Sequence, residues 1–385
     1  MRVAVLSPAA ELGGAERSLL TFLKAAQGHL VEATVLLPRE GPMGPALTAC
    51  GVPWEVMTLP RAVSQMSRLP GSPAPQWSLT DLVEGLQYAA RLRRKLNSLD
   101  PDIIYTNGIK SHVMAALLRP WVKGRLVWHL RDFWAGCYAG LLADWGPRAI
   151  IANSRATAAS LQKRLHHPEK VTVVLNAVDP GEFSPRGPLP EPGPWTGFSP
   201  RVGLVAAYAR WKGHSLFIEA ARFIAREFPA AGFFIIGGDI YDSGGEKDYE
   251  KHLTHLARRA DLENQVLFTG FQAEVAPWYR ALDVVVNASL KPEPFGRTLL
   301  EAMACGRAVV GPRAGGVPEF ISHGDNGLLY EMGSEEGLAT AILTLLRSPG
   351  IKERLGNAGR ETACRSFSPE VHAALITQVF RQALS

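Results

Sequence analysis

Short runs of apolar, largely β-branched residues recur along the chain, each followed by a stretch with helical spacing, and no other feature restricts the available folds so strongly. Six runs occupy the first half: RVAVLS (2–7), EATVLLP (32–38), DIIYTN (102–107), LVWHL (126–130), AIIANS (149–154) and VTVVLN (171–176). Such alternation predicts βα units around a parallel sheet. The runs are almost continuously hydrophobic, as strands are when helices cover both faces. The pattern stops at 180–200, PGEFSPRGPLPEPGPWTGFSP, whose Pro and Gly content is that of an exposed connection. It resumes with RVGLVAA (201–207), GFFIIGG (232–238), QVLFTG (265–270), VVVNAS (284–289) and AVVGP (308–312). The expectation is two doubly wound α/β domains facing a cleft: a first over 1–185, a linker over 186–200 and a second over 201–365, with a last helix over about 366–385 packing back on the first. Ligands of such sheets sit beyond the carboxyl ends of the strands, so residues just past each run carry most weight.

At 385 residues, 46% hydrophobic and 20% charged, the chain is globular and long enough for two cores. A net charge of +5, from 41 basic and 36 acidic residues, weakly favours anionic small molecules or a lipid surface and is no nucleic-acid signature. Cys50, Cys137, Cys305 and Cys364 lie far apart without metal-ligand spacing, so reduced, inert thiols are expected. Pro8 and Glu11 interrupt the first apolar run before it could serve as a signal peptide, and no apolar run approaches the ~20 residues of a membrane span. A cytoplasmic protein is expected, with peripheral contact at the inner face of a membrane as the one membrane mode left open. The irregular segment 54–80 reads either as an acceptor-side loop or as a surface insertion. The helical stretch after it carries Arg91, Arg93, Arg94 and Lys95, either a solvated face or a docking surface for a membrane or an acidic partner.

Several groups past the strand ends could carry chemistry. Gly13 and Gly14 follow the first strand and open a helix, whose amino end suits phosphate; a tight βα turn is the alternative. Arg210 and Lys212 stand between a strand and a helix, where two cations could neutralise a diphosphate. Glu293 lies in a loop and Glu301 eight residues later in the helix of RTLLEAMAC. One could accept hydrogen bonds from sugar hydroxyls and the other from a ribose diol, with the N–H groups of Phe295, Gly296, Arg297 and Thr298 between them. A capping acid and a surface ion pair is the rival account of the two glutamates. His129 ends a strand, with Arg131 next but one, and is expected to face the cleft. Asn107, Lys110 and His112 lie beyond another strand end, on the acceptor side with Arg131. Gly237 and Gly238, and Gly270 with Phe271, would suit a flat nucleotide base.

In order along nearly the whole chain, these residues resemble the retaining nucleotide-sugar glycosyltransferases of family four, which have the GT-B architecture of two Rossmann-like domains. The spacing of Glu293 and Glu301 within EPFGRTLLEAMACGRAVVG is similar to that family's E-x7-E signature; GGAER (13–17), NSRATA (153–158), NAVD (176–179) and WKG (211–213) are similar to other recurrent segments. The resemblance implies a retaining transfer from a nucleotide-diphosphate sugar to an acceptor hydroxyl on a glycan, a glycolipid or a small molecule. It implies a donor on the second domain, with Glu293 on the sugar, Glu301 on the ribose, and Arg210 and Lys212 on the diphosphate. Gly14 would close over the phosphates and His129 would bond the reacting sugar. No DxD metal motif stands among these candidates, consistent with the front-face reaction that the resemblance implies, which needs neither metal nor cofactor. One position departs from the pattern: where the family usually has Arg, five residues before the Lys of its K-G pair, this chain has Ala207. Arg210 could supply that guanidinium, or the diphosphate is held less tightly, a loss of ~1.5–3 kcal/mol. A nucleotide-sugar epimerase of the same fold and a catalytically weakened sugar-nucleotide binding protein are the rival readings.

Overall fold

The computed structural model describes residues 1–60, 78–134, 138–238 and 248–385. They divide into two units, Met1–Ala177 with Pro369–Ser385, and Val178–Ser368. Unit 1 runs β1 (Arg2–Leu6), α1 (Gly14–Ala26), β2 (Glu32–Leu37), α2 (Met43–Ala49), β3 (Trp54–Val56), α3 (Leu79–Leu99), β4 (Ile103–Thr106), α4 (Ile109–Leu118), β5 (Arg125–Leu130), α5 (Ala139–Trp145), β6 (Ala149–Ala152), α6 (Arg155–Gln162) and β7 (Val171–Val173). Unit 2 runs β8 (Arg201–Val205), α7 (His214–Glu227), β9 (Gly232–Ile236), α8 (Tyr249–Arg259), β10 (Val266–Phe268), α9 (Ala276–Ala281), β11 (Val284–Val286), α10 (Arg297–Ala304), β12 (Ala308–Pro312), β13 (Leu328–Tyr330), α11 (Glu335–Arg347) and α12 (Pro349–Ser366). The last helix, α13 (Pro369–Leu384), belongs to unit 1.

The fold class is the expected one. The first sheet has seven strands in the order β3-β2-β1-β4-β5-β6-β7, and the second six in the order β10-β9-β8-β11-β12-β13. Every pairing is parallel. In each sheet the order reverses beside the first strand of the unit, between β1 and β4 and between β8 and β11, which opens a crevice at the strands' carboxyl ends.

Apolar side chains alternate to both faces of each sheet. In unit 1, Leu19, Phe22 and Leu23 of α1 and Ile376, Val379 and Phe380 of α13 bury one face, with Tyr105 packed edge-on to Phe380 at 5.3 Å. The other face lies under α3 to α6, through Tyr88, Leu92, Leu96, Ala116 and Leu161. In unit 2, α7, α8 and α11 cover one face with residues such as Phe217, Leu253 and Ile342.

Two three-residue strands, β3 and β13, are not among the runs read from the sequence. Residues 180–200, expected to connect the domains, lie inside unit 2. Arg280 on α9 donates to the carbonyls of Glu182, Ser184 and Pro188, and Trp195 is buried. Of the segment 54–80, residues 54–56 are β3 and 61–77 fall outside the described residues. Among the described residues, no helix is long and apolar enough to cross a membrane.

Candidate active site

The site candidates of unit 2 gather at its sheet's reversal point. After β8 the chain makes a short 3-10 turn, Arg210–Lys212, and then Gly213 opens α7 with φ +74°. A Cβ on Gly213 would lie 1.8 Å from the Ala288 carbonyl oxygen, so only glycine lets this turn press against the loop that follows β11. The Leu290 N–H donates to the Trp211 carbonyl at 2.7 Å, which locks the two loops together. Lys212 is thereby aimed at Glu293: Nζ lies 2.7 Å from Oε1 and 4.1 Å from the centre of the Trp211 ring. Arg210, in the same turn, is exposed.

Glu293 is 5% exposed, and its Oε1 also accepts from the Ser289 hydroxyl at 2.6 Å and Asn287 Nδ2 at 3.3 Å. Burial pushes its carboxyl up, but the Lys212 charge and the three donors outweigh that and hold it below the usual carboxylate range. The group is an ionised carboxylate at neutral pH, and Oε2 takes part in none of these bonds. Its loop is braced from behind by the glycines of the same stretch. Gly315, at φ +63°, sits where a Cβ would meet the Glu293 carbonyl oxygen at 2.2 Å, and the Gly316 N–H donates to that oxygen at 2.9 Å. Ser289 and Asn287 were missed in the sequence, although VVVNAS carries polar side chains two apart just past a strand end, which is a usable signal.

Glu301 is held differently. Arg297, one turn earlier on α10, donates through Nε to Oε1 at 2.7 Å, and the Tyr279 hydroxyl donates to Oε2 at 2.9 Å. Burial, reinforced by the Glu301 charge, drives the Tyr279 phenol well above its ordinary value, so it remains a donor. Nothing in the local sequence links Tyr279 to Glu301. Gly296 caps α10 at φ +96°, and Thr298 lies half-buried in its first turn. The Phe295 ring is buried against Phe320 at 4.9 Å, so Phe295 offers a ligand its backbone only. Gly238 lies where a Cβ would stand 3.1 Å from the Phe271 nitrogen, and the Phe271 ring is exposed beside it.

In unit 1 the candidates separate. Side chains at 127, 129 and 131 share one face of the strand. His129, inside β5, is fully buried, with the Tyr105 hydroxyl on Nδ1 and His372 of α13 beside it at 6.3 Å. The expected outward placement is therefore corrected: α13 covers His129 and holds it in the core. Burial first, then the Arg131 charge, pushes its pKa well below the ordinary value, so the ring is neutral. His112 is also core: Nδ1 meets the Thr106 hydroxyl at 2.6 Å and the ring stacks on Trp128 at 5.0 Å. Burial pushes its pKa down to about 3.

Arg131 is what the end of β5 presents. Its Nε donates to Asn107 Oδ1 at 2.9 Å, and Nη1 donates to the Ser18 hydroxyl and to Asn176 Oδ1, each at 2.7 Å. Asn107 in turn donates to the Ala15 carbonyl at 3.3 Å. Loops after β4 and β5, the Asn176 segment and α1 are thus joined around one guanidinium, beside the amino end of α1 where Gly13 is buried and Gly14 exposed. Lys110 is half-buried in the first turn of α4. Ser18 and Asn176 complete a cluster whose members come from positions up to 158 residues apart.

Two parallel-sheet units of this topology, with these clusters at their reversal points, define the GT-B class. Residues 12–182 match glycosyltransferase family 4 and residues 194–362 match glycosyl transferases group 1. These adjoining matches and the fold place the chain among the GT-B glycosyltransferases of group 1 and family 4. It is 39% identical over 118 residues to N-acetyl-alpha-D-glucosaminyl L-malate synthase of Bacillus anthracis, covering 31% of each chain. It is 33% identical over 187 residues to the lipopolysaccharide core biosynthesis glycosyltransferase LpsE of Rhizobium meliloti, covering 49% of this chain and 50% of that one. The chain therefore spans half or less of the length of these two curated relatives. Among solved structures, that of Anabaena HepE in complex with UDP and glucose is similar over 99% of both chains, with 26% identity and a TM-score of 0.82.

Proposed function

We propose that the protein transfers a sugar from a nucleotide diphosphate to an acceptor hydroxyl with retention of anomeric configuration, unit 2 holding the donor and unit 1 the acceptor. The observation that carries this reading is Glu293: a buried, ionised carboxylate whose Oε1 is fixed by Lys212, Ser289 and Asn287 while Oε2 is left for sugar hydroxyls. The similar HepE structures contain UDP, UDP with glucose, and UDP-glucose, which supports a nucleotide sugar as the donor class. Lys212 and Arg210 stabilise the departing diphosphate by charge, with no metal or cofactor required. The bond from the anomeric carbon to the phosphate oxygen breaks, the acceptor oxygen bonds that carbon on the same face, and its proton passes to the leaving phosphate oxygen. Glu293 is then a donor-holding group and not the base of a hydrolytic pair.

The test is Glu293→Gln. It keeps the shape and the fold but loses charge-assisted bonds to the sugar, each worth ~1.5–3 kcal/mol, so transfer falls by about 100-fold or more. Turnover is measured against a panel of nucleotide sugars with wild type in parallel. Near-native turnover by the variant would remove Glu293 from the site, and epimerised donor without transfer would replace the assignment.

A further inference from the structure

We propose that the outer face of α3 docks unit 1 onto an anionic bilayer surface. The helix begins rigidly: the Ser78 hydroxyl accepts from the Asp81 N–H at 3.1 Å, and the Asp81 carboxylate accepts from the Ser78 N–H at 2.9 Å. Its buried residues begin only at Tyr88, followed by Leu92 and Leu96. The first two turns instead expose Leu79 (84%), Leu82, Val83 and Leu86 (63%). These positions follow the i, i+3, i+4, i+7 spacing of one helical face. Among the described residues, these four large apolar side chains form one line on the solvent side and join neither the core nor the apolar residues packed against it.

What continues that line names the occupant. On the same face, two turns beyond Leu86, stand Arg93 and Arg94, both exposed, and no carboxylate occurs between Gly85 and Leu99. An apolar half followed by cations with long apolar stems is the pattern of a helix that lies in the interface, its leucines among acyl chains and its guanidinium groups at the phosphates. A helix of 21 residues spans ~30 Å, so both halves can meet one plane. A second element agrees. α3 leads into β4 and α5 into β6, so both helices run against the parallel strands and begin at the sheet's carboxyl end. There α5 begins with exposed Tyr138 just before it and exposed Leu141 in its first turn. Both helices pack in the same layer.

The inference does not depend on the transfer reaction and is tested without donor. Full-length protein is floated with vesicles of phosphatidylcholine alone and of phosphatidylcholine with phosphatidylglycerol. Binding is expected to the anionic vesicles only, weakening as salt shortens the range of the attraction. Arg93→Gln with Arg94→Gln lowers partitioning about 30-fold, from ~1 kcal/mol per cation at an anionic surface. Leu82→Ser with Leu86→Ser lowers it by about tenfold or more, with an unchanged melting temperature because these side chains are exposed. Wild type that ignores anionic vesicles, or variants that bind as wild type does, would overturn the proposal. So would leucine variants that turn a dimer into a monomer on size exclusion without changing vesicle binding, since the stripe is then a contact between copies.

Discussion

The clusters at the two reversal points are chemical opposites. In unit 1 a buried cation, Arg131, donates to the neutral oxygens of Asn107, Ser18 and Asn176. In unit 2 a buried anion, Glu293, is surrounded by the Lys212 ammonium and the neutral donors Ser289 and Asn287. Arg131 reaches Asn107, Ser18 and Asn176 with a rigid planar fork, so its cluster ties four chain segments together and is structural as much as functional. Glu293 collects its bonds on one oxygen, and its main partner is itself a flexible, partly exposed side chain. The first arrangement fixes a charge in place; the second keeps a charge available.

If that contrast is real, the costliest single change is at the centre of unit 1. Arg131→Met removes three buried hydrogen bonds from a charged donor, taking this donor from Asn107 Oδ1 and leaving Asn176 Oδ1 only the Ser18 hydroxyl; at ~1.5–3 kcal/mol for a bond to a charged group, the loss is about 3 kcal/mol or more in urea denaturation. Arg131→Lys recovers little of this, because an ammonium cannot reproduce the fork. A loss below about 1 kcal/mol for Arg131→Met would mean that the loops hold without the guanidinium, and the contrast would collapse.

Lys212→Met probes the other cluster, with a smaller and pH-dependent cost. Burial raises the Glu293 carboxyl, and Lys212 is the strongest of the groups that bring it below its ordinary 4.5. A depressed folded-state pKa contributes stability that is present above 4.5 and is lost as pH falls through the folded value. Without Lys212 the pKa rises, so the gap in stability between variant and wild type is ~1.5–3 kcal/mol at neutral pH and closes below pH 4.5, where Glu293 is protonated in the unfolded chain and progressively in the folded one. Denaturation of both proteins across this range gives the answer. A gap that does not change with pH would show that Lys212 contributes packing and not charge.

The same contrast governs what the sequence could disclose. The parallel sheets were legible because most of their strands lie within longer apolar, β-branched runs; β3 and β13 were not, since WEV is interrupted by Glu55 and LLY holds no β-branched residue and is closed by Glu331. The stretch 180–200 looked like a linker because its composition carries no periodicity, while the arginine that fixes it, Arg280, lies about a hundred residues on and is one of many. Glu293 and Lys212 were legible because each follows a strand in the next loop, seven residues past its end. Tyr279, which holds Glu301, precedes it by 22 residues and carries no mark of the pairing. His129 was misplaced outward for a similar reason. Strand parity puts it on the same face as Arg131, but the helix that covers it begins at Pro369, far beyond any local pattern.

The finest test concerns how Lys212 is kept available. Its Nζ lies over the Trp211 ring at 4.1 Å while bonded to Glu293, so an aromatic face and a carboxylate share one ammonium. An attraction of this kind is worth ~0.5–1 kcal/mol at a partly exposed site. The ring holds the ammonium by charge and not by a directed bond, so one of its three N–H donors serves Glu293 while another is left to turn toward a phosphate. Trp211→Leu should therefore weaken donor binding by about two- to fivefold in calorimetry, while Trp211→Phe, which keeps a ring face, loses less. Stability should barely change in either, since the Glu293 bond remains. If Leu and Phe bind donor equally well, the ring is only packing, and unit 2 holds its cation by the carboxylate alone. The two reversal points would then differ in the sign of the central charge but not in how firmly each charge is held.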